Sequence, residues 1–146
     1  MDQYRLLAID DDEDNADLIV RAAAKCGYEG LPITNAESLA DTVAKWCPHV
    51  VTLDIGMPNI DGADALAMLA EVNFKGQVII ISGKPDWQRK LVADLGHRLG
   101  LAIAANEQKP VDILRLRRLL VGISRRLANA GDQHSPNPYA GSAFPR

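Results

Sequence analysis

Residues 6–15 read LLAIDDDEDN, an apolar run followed directly by an acidic run, which is typical of a buried strand that leads into a polar loop. Four apolar residues lead directly into Asp10, Asp11 and Asp12, with Glu13 and Asp14 close behind. A short, continuous apolar run is typical of a strand that is buried on both faces of a parallel sheet. The acidic side chains that follow repel one another, so they indicate a place where a bound cation neutralises them.

Similar apolar runs recur along the chain and alternate with helical patterns. The runs lie at Leu6–Ile9, Val50–Leu53, Val78–Ile81 and Ala102–Ala105, with a weaker one at Glu29–Ile33. This βα alternation, repeated five times, predicts an α/β fold with a five-stranded parallel sheet between two layers of helices.

The helical segments carry their own boundary signals. The first is expected to end at Gly27, the second to have Asn35 as its N-cap, and the third to follow Gly62. The fourth is expected over Trp87–Leu99, and the last begins after Pro110. Core-facing positions are predicted in the first helix (Leu18, Ile19, Ala22, Ala23, Cys26), the third (Leu66, Leu69, Ala70) and the last (Ile113, Leu116, Leu120, Ile123, Leu127).

The composition, with 47% hydrophobic and 24% charged residues, is that of an ordinary globular protein. A net charge of −3 does not indicate a nucleic-acid surface, and no segment approaches the ~20 apolar residues that span a bilayer. Cys26 and Cys47 lack metal-ligand spacing and are too few for a disulfide framework, and the small number of cysteines favours a reducing cytoplasm. We predict one domain over residues 1–128 and a flexible tail or linker over 129–146, where prolines and glycines interrupt the periodicity.

Polar side chains follow four of the predicted strands. Asp10, Asp11 and Asp12 come after the first strand, Asp54 after the third, Ser82 after the fourth and Lys109 after the fifth. Because the carboxyl ends of parallel strands meet at one edge of the sheet, we expect these groups to lie together. Clustered carboxylates suit Mg²⁺, and a carboxylate, a lysine and a hydroxyl beside that ion can hold a phosphoryl group and form an aspartyl phosphate.

Four motifs, LLAIDDDEDN, VVTLDIGMPNIDG, VIIISG and QKP, occur in this order and together resemble the receiver domain of bacterial two-component response regulators, which belong to the CheY-like family. The resemblance covers about residues 4–128. It implies a flavodoxin-like (βα)5 three-layer sandwich with strand order 2-1-3-4-5, and a cis peptide bond between Lys109 and Pro110.

Carried over position by position, the resemblance also implies the site residues. Asp54 would accept the phosphoryl group, Ser82 would be the switch hydroxyl, and Lys109 would form the salt bridge to the phosphoryl group. The implied Mg²⁺ ligands are Asp10, Asp11, Asp54 and the backbone carbonyl of Gly56. The domain would thus catalyse its own phosphorylation and slow dephosphorylation without being a conventional enzyme.

The sequence departs from the usual receiver pattern at two places. Receivers usually place an aromatic residue three positions before the conserved lysine, but Asn106 stands there. The signal is therefore expected to leave through the surface of the fourth helix, where Trp87 is the large ring. Gly56, two residues beyond Asp54, and Lys84, two residues beyond Ser82, predict an unusual lifetime of the phosphorylated form.

Three other interpretations compete with a receiver domain. An EF-hand starting at Asp10 fails because its sixth and twelfth positions are Asn15 and Arg21. A haloacid-dehalogenase-like phosphatase would use Asp10 as its nucleophile but leaves Asp54 unexplained. A pseudo-receiver that binds proteins without phosphorylation remains the third alternative. A dinucleotide-binding fold is excluded because no glycine-rich loop follows the first strand.

The three histidines form no triad and no metal cluster, so the phosphohistidine donor is expected on another protein. The resemblance implies a sensor histidine kinase or a histidine phosphotransfer protein as donor, and a protein target or output domain downstream. A phosphorylation-dependent homodimer is a further implied partner, whereas direct contact with nucleic acid or membrane is not expected. A stand-alone receiver and the amino-terminal part of a longer regulator both remain open.

Overall fold

The computed structural model describes residues 3–58 and 60–131, in which strands and helices alternate. The strands are β1 (Tyr4–Ile9), β2 (Tyr28–Ile33), β3 (Val50–Leu53), β4 (Gln77–Ser82) and β5 (Ala102–Gln108). The helices are α1 (Glu13–Ala24), α2 (Leu39–Trp46), α3 (Gly62–Glu71), α4 (Asp86–Arg98) and α5 (Ile113–Asn129).

The strands form one parallel sheet in the order β2-β1-β3-β4-β5. This confirms the predicted flavodoxin-like (βα)5 architecture and its strand order. The order places β1 and β3 side by side, so the loops that follow these two strands are neighbours at the carboxyl edge of the sheet.

Two hydrophobic clusters, one on each face of the sheet, explain the continuous apolar runs. Successive residues of a strand point to opposite faces, and here both faces are covered by helices. The cluster formed with α2, α3 and α4 includes Leu7, Ile9, Leu39, Trp46, Leu66 and Leu69. The cluster formed with α1 and α5 includes Leu6, Ala8, Ile19, Leu120 and Ile123. Each fully buried aliphatic side chain contributes about 1.5–3 kcal/mol to the free energy of folding.

The last strand differs from its prediction. It extends beyond the apolar run to Gln108, with Ser82 of β4 paired to Gln108 and Ile80 paired to Asn106. β5 is an edge strand whose residues are mostly half-buried, so polar side chains are tolerated in it. Apolar content alone therefore underestimated its length.

Some helix expectations were wrong in detail. Leu18 is 39% exposed, because Ile19 and Ala22 define the buried stripe of α1. Ala70 is only half-buried, whereas Ala65 is fully buried on α3. Asn35 is not an N-cap. Its Oδ1 accepts a hydrogen bond from the Glu37 backbone N–H at 3.0 Å in a turn, and α2 begins three residues later than that cap would place it.

The predicted end of the domain at residue 128 falls one residue before the end of α5. Most of the predicted tail, from residue 132 onward, lies outside the described residues. Within the described part of the chain, no helix combines the length and the apolar character that crossing a membrane requires.

Candidate functional site

The carboxyl edge of the sheet brings together side chains from four strand ends. Asp10 directly follows β1, Asp54 directly follows β3, Ser82 is the last residue of β4, and Lys109 directly follows β5. Backbone hydrogen bonds continue the ladders past the strand ends, from Asp54 N–H to the Ile9 carbonyl and from Lys109 N–H to the Ser82 carbonyl, each at 2.9 Å. The positions of these four residues are thus set by strand pairing.

Lys109 joins the two buried carboxylates. Its Nζ lies 2.9 Å from Asp10 Oδ2 and 3.1 Å from Asp54 Oδ2. The Asp10 and Asp54 side chains are 1% and 5% exposed, so these contacts are far less screened than contacts at the surface. Burial acts to lower the pKa of Lys109, but hydrogen bonds and Coulombic attraction from Asp10 and Asp54 outweigh it and raise that pKa. The peptide bond from Lys109 to Pro110 is cis, as expected.

The carboxyl group of Asp10 is buried, and its removal from water disfavours the charged form. Burial raises the pKa of its carboxyl group, although the Lys109 ammonium and a 2.9 Å hydrogen bond from the Asp12 backbone N–H favour the charged form. Asp12 itself caps α1, because its Oδ1 accepts a 3.0 Å hydrogen bond from the Asp14 backbone N–H. Of the three consecutive aspartates, Asp10 and Asp11 therefore belong to the site, whereas Asp12 caps α1 instead of joining the site as the sequence predicted.

Three carboxylates are placed to share one cation. Asp10, Asp11 and Asp54 each offer an oxygen, and these oxygens lie within 4.8 Å of one another. Asp11 is exposed, whereas the other two are buried. An all-oxygen set that is open to solvent on one side fits a hard divalent cation, which retains water ligands. The acidic cluster could thus bind a metal ion.

The space beside Asp54 is bounded by the loops after β3 and β4. Asp54 Oδ1 accepts a 2.8 Å hydrogen bond from the Gly56 N–H, which orients the carboxylate. A Cβ atom at Gly56 would lie 3.3 Å from Asp54 Oδ1, 3.5 Å from Lys84 Cε and 3.6 Å from Ser82 Oγ. Ser82 is fully buried, and its Oγ accepts a 3.1 Å hydrogen bond from the Lys84 backbone N–H. An open pocket of about 490 Å³, lined by Gly56, Lys84 and Gln88 among others, adjoins this space.

Arg89 belongs to the surroundings of the site but was missed in the sequence. It is 4% exposed, and its guanidinium contacts the β4–α4 loop and Asn106 of β5. The signal was present, because Arg89, Ala93 and Gly96 occur at helical spacing and form the buried face of α4. An arginine on a buried stripe indicates a polar partner that only the fold identifies.

Comparison with known proteins assigns the chain to a family. The sequence profile described as "Response regulator receiver domain" matches residues 6–99. The chain is also 31% identical over 94 residues to the chemotaxis protein CheY of Bacillus subtilis, a match that covers 62% of this chain and 75% of that protein. The protein therefore belongs to the response regulator receiver domain family.

A second relative is much longer than this chain. The sensory/regulatory protein RpfC of Xanthomonas campestris is 30% identical over 82 residues, which cover 53% of this chain but only 11% of RpfC. The similarity therefore concerns a single segment of that protein.

Solved structures with low sequence identity share the fold. A response regulator from Colwellia psychrerythraea has a TM-score of 0.72 at 22% identity, covering 86% of this chain and 99% of that chain. The signal receiver domain of a putative LuxO repressor protein from Vibrio parahaemolyticus has a TM-score of 0.74 at 18% identity, covering 90% and 99%.

Proposed function

We propose that this receiver domain accepts a phosphoryl group on Asp54, from a phosphohistidine of a sensor histidine kinase or histidine phosphotransfer protein, in a Mg²⁺-dependent reaction. The single observation that carries the proposal is the convergence of Asp10, Asp11 and Lys109 on Asp54. Membership of the receiver family supports the same reaction.

The transfer is a direct displacement at phosphorus. A carboxylate oxygen of Asp54 attacks the phosphorus atom in line, the new O–P bond forms as the P–N bond breaks, and the imidazole leaves with that electron pair. The product is an acyl phosphate, and the donor leaves as an imidazolate that takes up a proton from solvent to become neutral imidazole. No acid in this chain is required for the leaving group.

The residues around Asp54 have separable roles in the proposal. Asp10 and Asp11, together with Asp54 and the Gly56 carbonyl, would hold Mg²⁺, which when bound neutralises the oxygens of the transferring phosphoryl group. Lys109 would exchange its contact with Asp54 Oδ2 for one with a phosphoryl oxygen. Because the Ser82 hydroxyl accepts a hydrogen bond from Lys84, it keeps its own proton to donate to the phosphoryl group.

The cellular setting is part of the proposal. Phosphorylation would switch binding of a protein target or an output domain, or formation of a homodimer, in the cytoplasm. Residues 1–128 would form the receiver and residues 129–146 a tail or linker. No direct contact with nucleic acid or membrane is proposed.

Incubation with Mg²⁺ and acetyl phosphate, followed by intact mass measurement, tests the reaction. The wild type should gain one labile phosphoryl group, and Asp54→Asn should gain none. Asp94→Asn, which changes an exposed carboxylate on α4 away from the pocket beside Asp54, is the matched control and should react like the wild type.

Two other results would overturn the proposal. Hydrolysis of the donor that survives Asp54→Asn but is lost in Asp10→Asn would indicate a haloacid-dehalogenase-like phosphatase. A wild type that neither gains mass nor hydrolyses the donor would indicate a pseudo-receiver.

A further inference from the structure

The buried guanidinium of Arg89 joins three segments next to the candidate site. Its Nε donates to the Lys84 carbonyl at 3.0 Å, Nη1 donates to Asn106 Oδ1 at 2.8 Å, and Nη2 lies 3.3 Å from Asp86 Oδ1. Asp86 is 86% exposed, whereas the Arg89 side chain is 5% exposed. A buried cation whose main partners are neutral oxygens depends on each of them, because a lost acceptor leaves a desolvated donor unpaired.

Lys84 connects this guanidinium to Ser82. The Lys84 backbone N–H donates to Ser82 Oγ at 3.1 Å, and the carbonyl of the same residue accepts from Arg89 Nε. A continuous chain of hydrogen bonds therefore runs from the hydroxyl beside Asp54 through Lys84 and Arg89 to Asn106. A displacement of Ser82 toward Asp54 would strain or break a bond in this chain.

Asn106 anchors the chain to the sheet. It lies in β5, where it pairs with Ile80 of β4. Strand pairing therefore fixes the backbone of Asn106 independently of the loop after β4. Arg89 lies in the first turn of α4, and its own backbone N–H donates to the Pro85 carbonyl at 3.0 Å. The segment Gly83–Lys84, between the end of β4 and Pro85, is the part of this hydrogen-bonded chain that lies outside any strand or helix.

We propose that Arg89 and Asn106 form a clasp that holds the β4–α4 loop, and through Lys84 the Ser82 hydroxyl, in its unphosphorylated position. Arg89 is thus a positioning residue, and Asn106 sets how tightly it acts. This inference rests on the proposed phosphorylation of Asp54. Loosening the clasp should favour the phosphorylated conformation, because a ligand shifts a two-state equilibrium more easily when the competing state is less stable.

Two substitutions at Asn106 should have opposite effects. Asn106→Ala removes the acceptor of Arg89 Nη1, whereas Asn106→Asp keeps an acceptor there and adds a charge-assisted partner. Arg89→Lys retains the positive charge but cannot reach three partners at once. Arg98→Lys, at an exposed position at the end of α4, is the matched control.

The first measurement uses the protein without phosphodonor. Hydrogen exchange of the peptide containing residues 83–88 should be at least fivefold faster in Asn106→Ala and Arg89→Lys than in the wild type, and no faster in Asn106→Asp or Arg98→Lys. Unchanged exchange in both Asn106→Ala and Arg89→Lys would overturn the clasp.

The second measurement uses beryllofluoride with Mg²⁺ as a non-covalent mimic of the phosphoryl group. Trp87 is 65% exposed next to Asp86 and reports on the loop, and Trp46→Phe in every variant makes it the sole tryptophan. The beryllofluoride concentration that half-saturates the Trp87 fluorescence change should be at least threefold lower in Asn106→Ala than in the protein without a substitution at position 106. It should be higher in Asn106→Asp. A rise or no change in Asn106→Ala would overturn the assignment of the clasp to the unphosphorylated state.

The two proposals fail separately. If the wild type neither binds beryllofluoride nor gains mass from acetyl phosphate, the proposed function is wrong, and the exchange measurement still decides whether the clasp exists. If phosphorylation proceeds normally but exchange does not respond to Asn106→Ala or Arg89→Lys, the clasp alone is wrong.

Discussion

Lys109 Nζ lies 3.1 Å from Asp54 Oδ2, although 55 positions separate the two residues in the chain. The same ammonium is 2.9 Å from Asp10 Oδ2, so one cation holds two buried carboxylates together. Without a metal ion, Lys109 is the positive charge that makes this arrangement of carboxylates tolerable.

Replacement of Lys109 by methionine should expose this dependence. We expect Lys109→Met to lower the free energy of unfolding by about 3 kcal/mol in the absence of metal, because two buried carboxylates lose their partner. Millimolar Mg²⁺ should restore more stability to the variant than it adds to the wild type. Urea unfolding with and without Mg²⁺ measures both effects, and equal stabilisation of the two proteins would contradict the shared role of the two cations.

The ion pairs of Lys109 with Asp10 and Asp54 also predict how the stability of the protein depends on pH. The pKa of Lys109 is raised in the folded protein, so the folded state holds this proton more tightly than the unfolded chain, whose lysine pKa is about 10.4. The stabilisation by Lys109 is therefore fully present below that value and is lost as the pH rises through the higher folded pKa. The difference in unfolding free energy between wild type and Lys109→Met should be constant from neutral pH to about pH 10 and should shrink above it. A difference that shrinks already near neutral pH would show that another group is responsible.

A side chain at position 56 should change the lifetime of the phosphorylated form. The space that a Cβ would enter lies between Asp54 Oδ1 and Lys84 Cε, at contact distances that need only small adjustments. We expect Gly56→Asn to slow the decay of the phosphoryl group severalfold, because the added side chain restricts the approach of water. Gly56→Ala should show a smaller effect in the same direction. Decay is followed by intact mass after removal of the donor, and an unchanged rate in Gly56→Asn would rule out a role for this position.

Two helical glycines should respond oppositely to alanine. At Gly62, the first residue of α3, a Cβ would lie 2.7 Å from the Cβ of Ile55, which no side-chain rotation can relieve. Gly62→Ala should therefore cost about 1–3 kcal/mol of stability. At Gly122 in α5, the nearest atom to such a Cβ is the end of the Arg126 side chain at 3.8 Å. Gly122→Ala should stabilise by up to about 1 kcal/mol because alanine favours the helix. Thermal unfolding of both variants tests this contrast.

The N-caps of two helices provide another matched pair. Asp61 Oδ1 accepts a 2.8 Å hydrogen bond from the Ala63 backbone N–H at the start of α3, whereas Ser38 makes no side-chain cap at the start of α2. Asp61→Ala should cost about 1 kcal/mol, and Ser38→Ala should cost much less. Chemical denaturation distinguishes the two, and equal losses would show that the cap hydrogen bond is not the cause.

The order of strands and helices could be predicted from the sequence because each element has its own local pattern of apolar and turn-forming residues. The run Leu6–Ile9 is apolar throughout, as burial on both faces requires, and Gly27 adopts a φ of 87° just after α1. The expectation that Asp10, Asp54, Ser82 and Lys109 meet also needed only the rule that parallel strands deliver their loops to one edge. Patterns failed where local signals compete, as at Asn35, whose side chain forms a turn instead of capping α2.

Local patterns in the sequence were sufficient to predict the sheet class and which residues stand at the strand ends, because apolar runs, helical periodicity and turn chemistry are properties of neighbouring residues. Only packing established that Asp10 pairs with Lys109 and that Arg89 turns inward to Asn106. These pairings depend on the distances between groups that packing brings together from distant parts of the chain. A hydrogen bond or ion pair acts over about 3 Å, and no pattern along the sequence encodes which buried donor will find which acceptor at that range.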